Sequence, residues 1–289
     1  MFAIALEQNQ YKTYILTDEQ AQSRLEVVPE RGGIITRWVA AGQEMLYLDA
    51  ERFANPELTV RGGIPILFPI CGNLPDNTYT HRGTTYQLKQ HGFARDLPWT
   101  VTDSHTQTSA DLTLTLSSSE KTRPYYPFDF YLAFTYRLQG NTLALIQQVT
   151  NQSPEPLPFS LGLHPYFWAP NKAQLRFEIP ATEFRDHKTQ LTHSYLNSFD
   201  FDLEEIDVIF QNPAAPQASV TDWQRRLKLT LGYEFPYSSL VFWTLKGKEF
   251  YCLEPWTAPR NAMNTGDRLT HLPPGESLTT TCMLTVAAF

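Results

Sequence analysis

The sequence predicts an all-β protein of packed antiparallel sheets with little helix. Three observations lead there. Apolar residues recur with period two along many short segments, Gly, Pro and Asn punctuate those segments, and no window sustains an i, i+3, i+4 apolar pattern of helical length. In chain order, Leu112, Leu114 and Leu116 alternate with Thr113 and Thr115. Phe130, Leu132, Phe134, Tyr136 and Leu138 alternate with smaller or polar residues, Gln139-Gly140-Asn141 turns the chain, and Leu143, Leu145 and Val149 resume the pattern. That is a hairpin signal, with glycine supplying the unusual backbone angles. Leu227–Leu231, Leu240–Leu245, Phe250–Leu253 and Leu278–Val286 are further β-rich runs, while Asp222–Leu229 fits a turn or two of helix. Ser153–Pro158, Asn212–Pro216 and Pro273-Pro274-Gly275 are connections, because proline cannot donate within a central strand.

The 289 residues suffice for a large core, and sandwiches often use this much chain as one domain, so one domain over 1–289 is expected. No internal repeat, low-complexity stretch or interdomain linker interrupts it. A net charge of −7 without any Lys/Arg run argues against nucleic acid and anionic membrane as partners. Aromatics make up 13% of residues, which suits a β protein with a flat-walled apolar site. No pattern specifies an oligomeric state. Cys71, Cys252 and Cys282 are odd in number and lack Cys-x-x-Cys, which fits a reducing compartment without a disulfide framework. The N-terminal apolar run is too short for a secretion signal, and no apolar stretch approaches the ~18 residues of a membrane span. The expected location is the cytoplasm.

Chemistry concentrates in a few polar residues set in apolar runs. Arg61 opens Arg-Gly-Gly-Ile-Pro-Ile-Leu-Phe-Pro, where two glycines let backbone or ligand approach the guanidinium. The plainer alternative is a tight turn with a surface arginine. His91 precedes Gly92 and lies four positions before Arg95; His164 sits between Leu163 and Pro165. Either histidine also fits a structural role, provided a buried ring nitrogen finds a partner. In Phe250–Trp256, alternation puts Phe250, Cys252 and Glu254 on one face. A carboxylate there is partly desolvated, which raises its pKa and makes it a better base. The alternative is an edge position, with Glu254 pointing to water before a proline turn. Two imidazoles and a carboxylate at strand ends suit a reaction made only of proton transfers. His91, His164, His187, His193 and His271 lack metal-ligand spacing, no Gly-x-Ser-x-Gly is present, and no glycine-rich phosphate loop precedes a helix. No metal or other cofactor is therefore expected.

Taken in order, the segments 61–69, 91–99 (His-Gly-Phe-Ala-Arg-Asp-Leu-Pro-Trp), 161–167 (Leu-Gly-Leu-His-Pro-Tyr-Phe), 206–210 (Ile-Asp-Val-Ile-Phe) and 252–266 (Cys-Leu-Glu-Pro-Trp-Thr-Ala-Pro-Arg-Asn-Ala-Met-Asn-Thr-Gly) resemble the aldose 1-epimerase, or galactose mutarotase-like, superfamily. The resemblance spans Arg61 to Glu276 and is specific as an ordered set. It implies a large antiparallel β-supersandwich and an isomerase interconverting the anomers of an aldohexose by opening and reclosing the ring. Residue by residue, it implies Glu254 as general base, His164 as general acid toward the ring oxygen, and His91 as the second histidine on that side. Arg61 and Asp207 match positions that hydrogen-bond sugar hydroxyls. Phe93, Tyr166, Trp243 and Trp256 are candidates to stack on the sugar. Two of the motifs also occur in the hexose-6-phosphate branch, where arginines hold the phosphate; Arg61 and Arg95 are the candidates here, although the net acidity argues mildly against an anionic substrate. The competing reading from another class is a carbohydrate-binding protein that keeps the sandwich without turnover. Retaining both histidines and Glu254 favours the enzyme.

Overall fold

Every segment read as strand from its alternation forms one in the computed structural model, which describes all residues from Met1 to Phe289. Leu112–Leu116 lies within strand Ala110–Ser117. Phe130–Gln139 and Thr142–Asn151 pair antiparallel over their whole lengths, from Phe130 opposite Asn151 to Gln139 opposite Thr142. Gly140, at φ 58°, makes the left-handed first corner of that two-residue turn. Its N–H donates to Asp18 Oδ2 at 2.9 Å, and Asn141 Oδ1 accepts from the Ala41 N–H at 2.8 Å, which ties the hairpin tip to the N-terminal strands.

Asp222–Leu229 is not helical. Asp222 ends strand Gln217–Asp222, Leu227 opens strand Leu227–Tyr233, and the two residues pair. Asp222 Oδ1 accepts from the Arg225 N–H at 2.9 Å and Arg226 takes φ 54°, so the side chain and a left-handed residue close a hairpin. Leu227 and Leu229 are two apart because they share one face of a strand. True helix is confined to Ala50–Ala54 and Ala262–Thr265. No helix is long and apolar enough to cross a membrane.

Three large sheets result, each strand paired antiparallel with its neighbours. Five strands between Phe2 and Glu44 follow one another in sequence order. An eight-stranded sheet runs in the order Leu175–Glu178, Gln217–Asp222, Leu227–Tyr233, Ser277–Ala288, Thr142–Asn151, Phe130–Gln139, Ala110–Ser117, Thr100–His105. The third sheet places Glu205–Gln211, Ser239–Leu245 and Phe250–Trp256 side by side, with the short strands Gly162–Leu163 and Tyr166–Trp168 against the last. All three sheets contribute to one cluster of 59 buried apolar residues, including Leu25 and Trp38, Leu114 and Phe134, and Phe242 and Leu253. The architecture is the large antiparallel β-supersandwich that the alternation and the resemblance imply. One face of the third sheet closes this core, and the other carries Asp207 and Glu254.

Candidate active site

The register of the third sheet builds the site. Residues directly opposite in antiparallel strands share a face. Asp207 is opposite Trp243, Trp243 opposite Cys252, and Cys252 opposite Tyr166; one row over, Ile209 is opposite Val241 and Val241 opposite Glu254. Tyr251 and Leu253, the intervening residues of the same strand, join the main core. The face predicted for Glu254 is therefore the one it takes. Its strand continues through Pro255 to Trp256, so no proline turn follows it and no edge exposes it. Glu254 is 1% exposed. Asp207 likewise lies within strand Glu205–Gln211 rather than at a strand–turn junction.

His164 occupies the connection between Gly162–Leu163 and Tyr166–Trp168, held by its N–H donating to Pro65 O at 3.0 Å. Its ring stacks on Tyr166 with centroids 4.7 Å apart, and Trp243 meets it edge-on at 5.9 Å. Nε2 of His164 lies 3.3 Å from Glu254 Oε1, while Trp256 Nε1 donates to Glu254 Oε2 at 3.1 Å. Nδ1 of His164 is buried without a partner.

His91 reaches the same place from a left-handed turn. His91 and Gly92 have φ 66° and 71°, and a Cβ on Gly92 would sit 2.2 Å from Phe68 O, so only glycine fits there. The His91 N–H donates to Gly72 O at 2.7 Å, and the Gly72 N–H donates back to His91 Nδ1 at 3.1 Å. Because Nδ1 accepts, the proton of the neutral ring sits on Nε2. The ring packs edge-on against His164 and Trp256, at 5.5 and 5.7 Å between centroids.

Burial governs the electrostatics of these three groups. It pushes Glu254 well above the usual carboxylate range, helped by the charge of Asp207 and opposed by Arg260. It pushes His164 down to about 3, with Arg95 adding to the effect, and holds His91 well below the ordinary imidazole value, with Arg95 again second. Both rings are neutral at neutral pH.

These residues line a cavity of about 380 Å³, together with Arg61, Arg95 and Asp207. All six residues singled out in the sequence are thus brought to one pocket, with Arg61 exposed at its mouth. Tyr166, Trp243 and Trp256 also line it; Phe93 does not. The Phe93 N–H donates to Phe68 O, and its ring packs on Phe68 and Phe130 in the core, because the left-handed turn at His91-Gly92 sends it away from the pocket.

Several further residues shape the site, Arg52, Glu205 and Arg260 from its lining and His187 from behind Asp207. Arg260 spans the pocket wall: Nη2 donates to Asp207 Oδ2 at 2.7 Å and Nη1 to Asn73 Oδ1 at 3.1 Å. Its stem crosses Gly72, where a Cβ would meet Arg260 Cγ at 2.3 Å. His187 Nδ1 contacts Asp207 Oδ1 at 2.7 Å, so both oxygens of that carboxylate are engaged. Arg52 and Glu205 complete the mouth, Glu205 being paired with Lys188 at 2.5 Å and accepting from Trp243 Nε1 at 2.8 Å. Arg52, Arg61 and Arg95 have no carboxylate partner within salt-bridge distance; Arg95 donates instead to Gln90 O at 2.8 Å. Arg260 belongs to the 252–266 motif, the one available signal; Arg52 carried none. In sequence Cys252 only marks the strand face, but in the fold its sulfur lies within 4.8 Å of donor atoms of His164 and Glu254. That cluster is invisible to sequence spacing because His164 and Cys252 lie 88 positions apart (252 − 164).

A family model and solved structures match this chain over nearly its whole length. The family model described as aldose 1-epimerase matches residues 14–285. The crystal structure of the Slr1438 protein from Synechocystis sp. PCC 6803 superposes with a TM-score of 0.95 at 44% identity, covering 100% of both chains. A galactose mutarotase-like protein from Clostridium acetobutylicum shares the fold, with a TM-score of 0.84 at 21% identity over 100% of this chain and 99% of that one. A protein provisionally named glucose-6-phosphate 1-epimerase, from Escherichia coli K12, is 30% identical over 139 residues, 47% of this chain and 42% of its own.

Proposed function

The chain belongs to the aldose 1-epimerase family, and from that premise we propose that it interconverts the α and β anomers of an aldohexose by acid–base ring opening and reclosure. One observation carries the reading: a fully buried carboxylate of raised basicity faces a neutral imidazole at 3.3 Å on the floor of a sugar-sized polar cavity. Glu254 takes the proton of the anomeric hydroxyl. His164 supplies a proton to the ring oxygen, and His91, with its hydrogen on Nε2, donates a hydrogen bond on the same side. The two reacting oxygens share one carbon, so donor and acceptor must be close neighbours. The C1–O5 bond breaks, the aldehyde forms, rotation about C1–C2 exposes its other face, and the steps reverse with roles exchanged. Tyr166, Trp243 and Trp256 present apolar walls to the ring. Arg260 and His187 hold Asp207 ionised and oriented at the hydroxyls. No cofactor is needed, and the three free cysteines agree with a cytoplasmic location.

A second reading, in which the substrate carries a 6-phosphate, is favoured by a specific observation. The acids at the mouth are already neutralised, Glu205 by Lys188 and Asp207 by Arg260, whereas Arg52, Arg61 and Arg95 are left without acidic partners. Local positive charge there outweighs the acidity of the whole chain. Polarimetry or exchange NMR on fresh α-glucose, α-galactose and α-glucose 6-phosphate, with and without the protein, tests both readings. Acceleration of at least one anomerisation is expected. Sugar binding without acceleration would leave a carbohydrate-binding protein on the same fold.

A further inference from the structure

We propose that His164, Cys252 and Glu254 form a binding site for a thiophilic divalent cation such as Zn²⁺, and that its occupation stops turnover. Three different donors, an imidazole nitrogen, a thiol sulfur and a carboxylate oxygen, lie within 4.8 Å of one another. The register puts them there: Cys252 and Glu254 are two apart on one face of a strand, and Cys252 is opposite Tyr166, on whose ring His164 stacks.

Two details point to an ion rather than to a finished hydrogen-bond network. The His164 Nε2 to Glu254 Oε1 separation is 3.3 Å, and no hydrogen bond joins them. That separation is the edge of a tetrahedron around an ion with bonds of about 2.0–2.1 Å. In addition, His164 Nδ1 has no partner although the side chain is nine-tenths buried. An unsatisfied buried imidazole nitrogen calls for an explanation. A closure of about an ångström would bring the sulfur to its bonding distance of about 2.3 Å.

The donor set selects the class of ion. Thiolate and imidazole suit Zn²⁺ and its soft neighbours, whereas Mg²⁺ and Ca²⁺ take oxygen ligands. Binding draws the protons from the Cys252 thiol and the Glu254 carboxyl, so affinity rises with pH. A carboxylate held on the ion cannot accept the anomeric proton, and an imidazole held there cannot reach the ring oxygen. The cation is an inhibitor here, not a cofactor. The inhibition rests on the proton-transfer reading above; the binding does not.

Cobalt(II) reports the site independently of activity. Wild-type protein titrated with CoCl₂ is expected to develop a thiolate-to-cobalt charge-transfer band at one equivalent, and Cys252→Ser is expected to lose it while Cys71 and Cys282 remain. In the anomerisation assay, ZnCl₂ should inhibit the wild type and EDTA should restore the rate. Relative to its own metal-free rate, each of Cys252→Ser and Cys252→Ala should need at least about tenfold more zinc for half-inhibition, since even a change behind the ligands costs 10–100-fold in metal affinity. If the cysteine variants do not fold, Glu254→Gln, read by the cobalt band alone, should bind at least about tenfold more weakly. Absence of a thiolate band, identical zinc curves for wild type and Cys252→Ser, or unchanged cobalt affinity in Glu254→Gln would each overturn the proposal. A thiolate band in a protein that turns over no sugar would support the cation site and count against the proposed function.

Discussion

The floor and the mouth of the pocket use the same residue types in opposite ways. On the floor, Glu254 is buried beside neutral His164 and His91, and burial pushes the carboxyl up and the rings down. At the mouth, burial also pushes Asp207 up, yet His187 and Arg260 outweigh it and hold that carboxylate below its ordinary value. A group whose charge is disfavoured by its surroundings is ready to exchange a proton; a group whose charge is locked by partners is ready to orient a ligand. The floor is thus suited to chemistry and the mouth to recognition, and substitutions in the two regions should separate kcat from KM.

The largest effect belongs to Glu254→Gln, which keeps the shape and the bond from Trp256 but cannot take a proton. Its kcat for anomer interconversion should fall at least about 10³-fold, within the 10²–10⁴ range of a positioned base, with sugar affinity largely kept. Saturation-transfer NMR on the variant checks the binding half. A variant that interconverts anomers at the wild-type rate would remove the floor from the chemistry.

His164→Asn comes next, with a loss of about 10²–10³ in kcat. If the two groups act in one concerted exchange, as proposed, the double variant should be little worse than Glu254→Gln alone. Additive losses, measured by the same polarimetry, would mean that His164 acts in a separate step.

Legibility in the sequence divides only partly along floor and mouth, because Arg61, Arg95 and Asp207 were reached through the ordered motifs. Period two is a local signal, so the strands around Phe134 and Leu145, and the shared face of Phe250, Cys252 and Glu254, were readable from composition along the chain. At Asp222–Leu229 the local signal misled, because Asp222 and the left-handed Arg226 fold the segment into a hairpin that periodicity cannot distinguish from a helical turn. The direction of Phe93 depends on two left-handed residues before it, which residue type alone does not announce. His91, His164 and Glu254 were found because imidazoles and a carboxylate are conspicuous in apolar runs. Arg52, on the short helix Ala50–Ala54, and His187 were not, because polar residues outside the strands look alike until distant parts of the chain meet over one sheet, and Arg260 stood only as one position of the 252–266 motif.

The mouth has its own large effect if the substrate is phosphorylated. Arg95→Ala or Arg61→Ala should raise KM for glucose 6-phosphate by on the order of 10²-fold, the loss of a charged hydrogen bond, with a much smaller change for free glucose. Equal changes for the two sugars would remove the phosphate from the recognition scheme.

The pH profile sharpens the comparison by a factor of about ten per unit. The base must be ionised, and the Glu254 carboxyl is raised above its ordinary 4.5, so kcat/KM should rise with pH through a range well above that value and then level. His164, at about 3, and His91, lower than ordinary imidazole, stay neutral and keep one N–H each, so no descending limb from a charged histidine is expected near pH 6–7. Stability carries the opposite sign. A raised carboxyl contributes stability that is present below its unfolded value and lost as pH rises through its folded one. Glu254→Gln should therefore melt above the wild type at about pH 8 and match it at acid pH. A falling rate limb at pH 6–7 would assign the proton donor to an imidazolium.

The smallest effect is expected at the mouth's outer carboxylate, and its sign matters more than its size. Glu205 is paired with a half-exposed Lys188 and accepts from Trp243 Nε1. In Glu205→Gln the amide oxygen keeps the tryptophan bond, and the exposed ion pair contributes only about 0.2–1 kcal/mol, so stability should change by less than about 1 kcal/mol. Removing one negative charge near three unpartnered arginines should lower KM for glucose 6-phosphate by a few-fold at low salt and leave free glucose unchanged. That is opposite in direction to Arg95→Ala, and the difference should shrink as salt is added. A rise in KM for both sugars would instead make Glu205 a hydroxyl ligand, moving it from the electrostatic frame of the mouth to the sugar's own contacts.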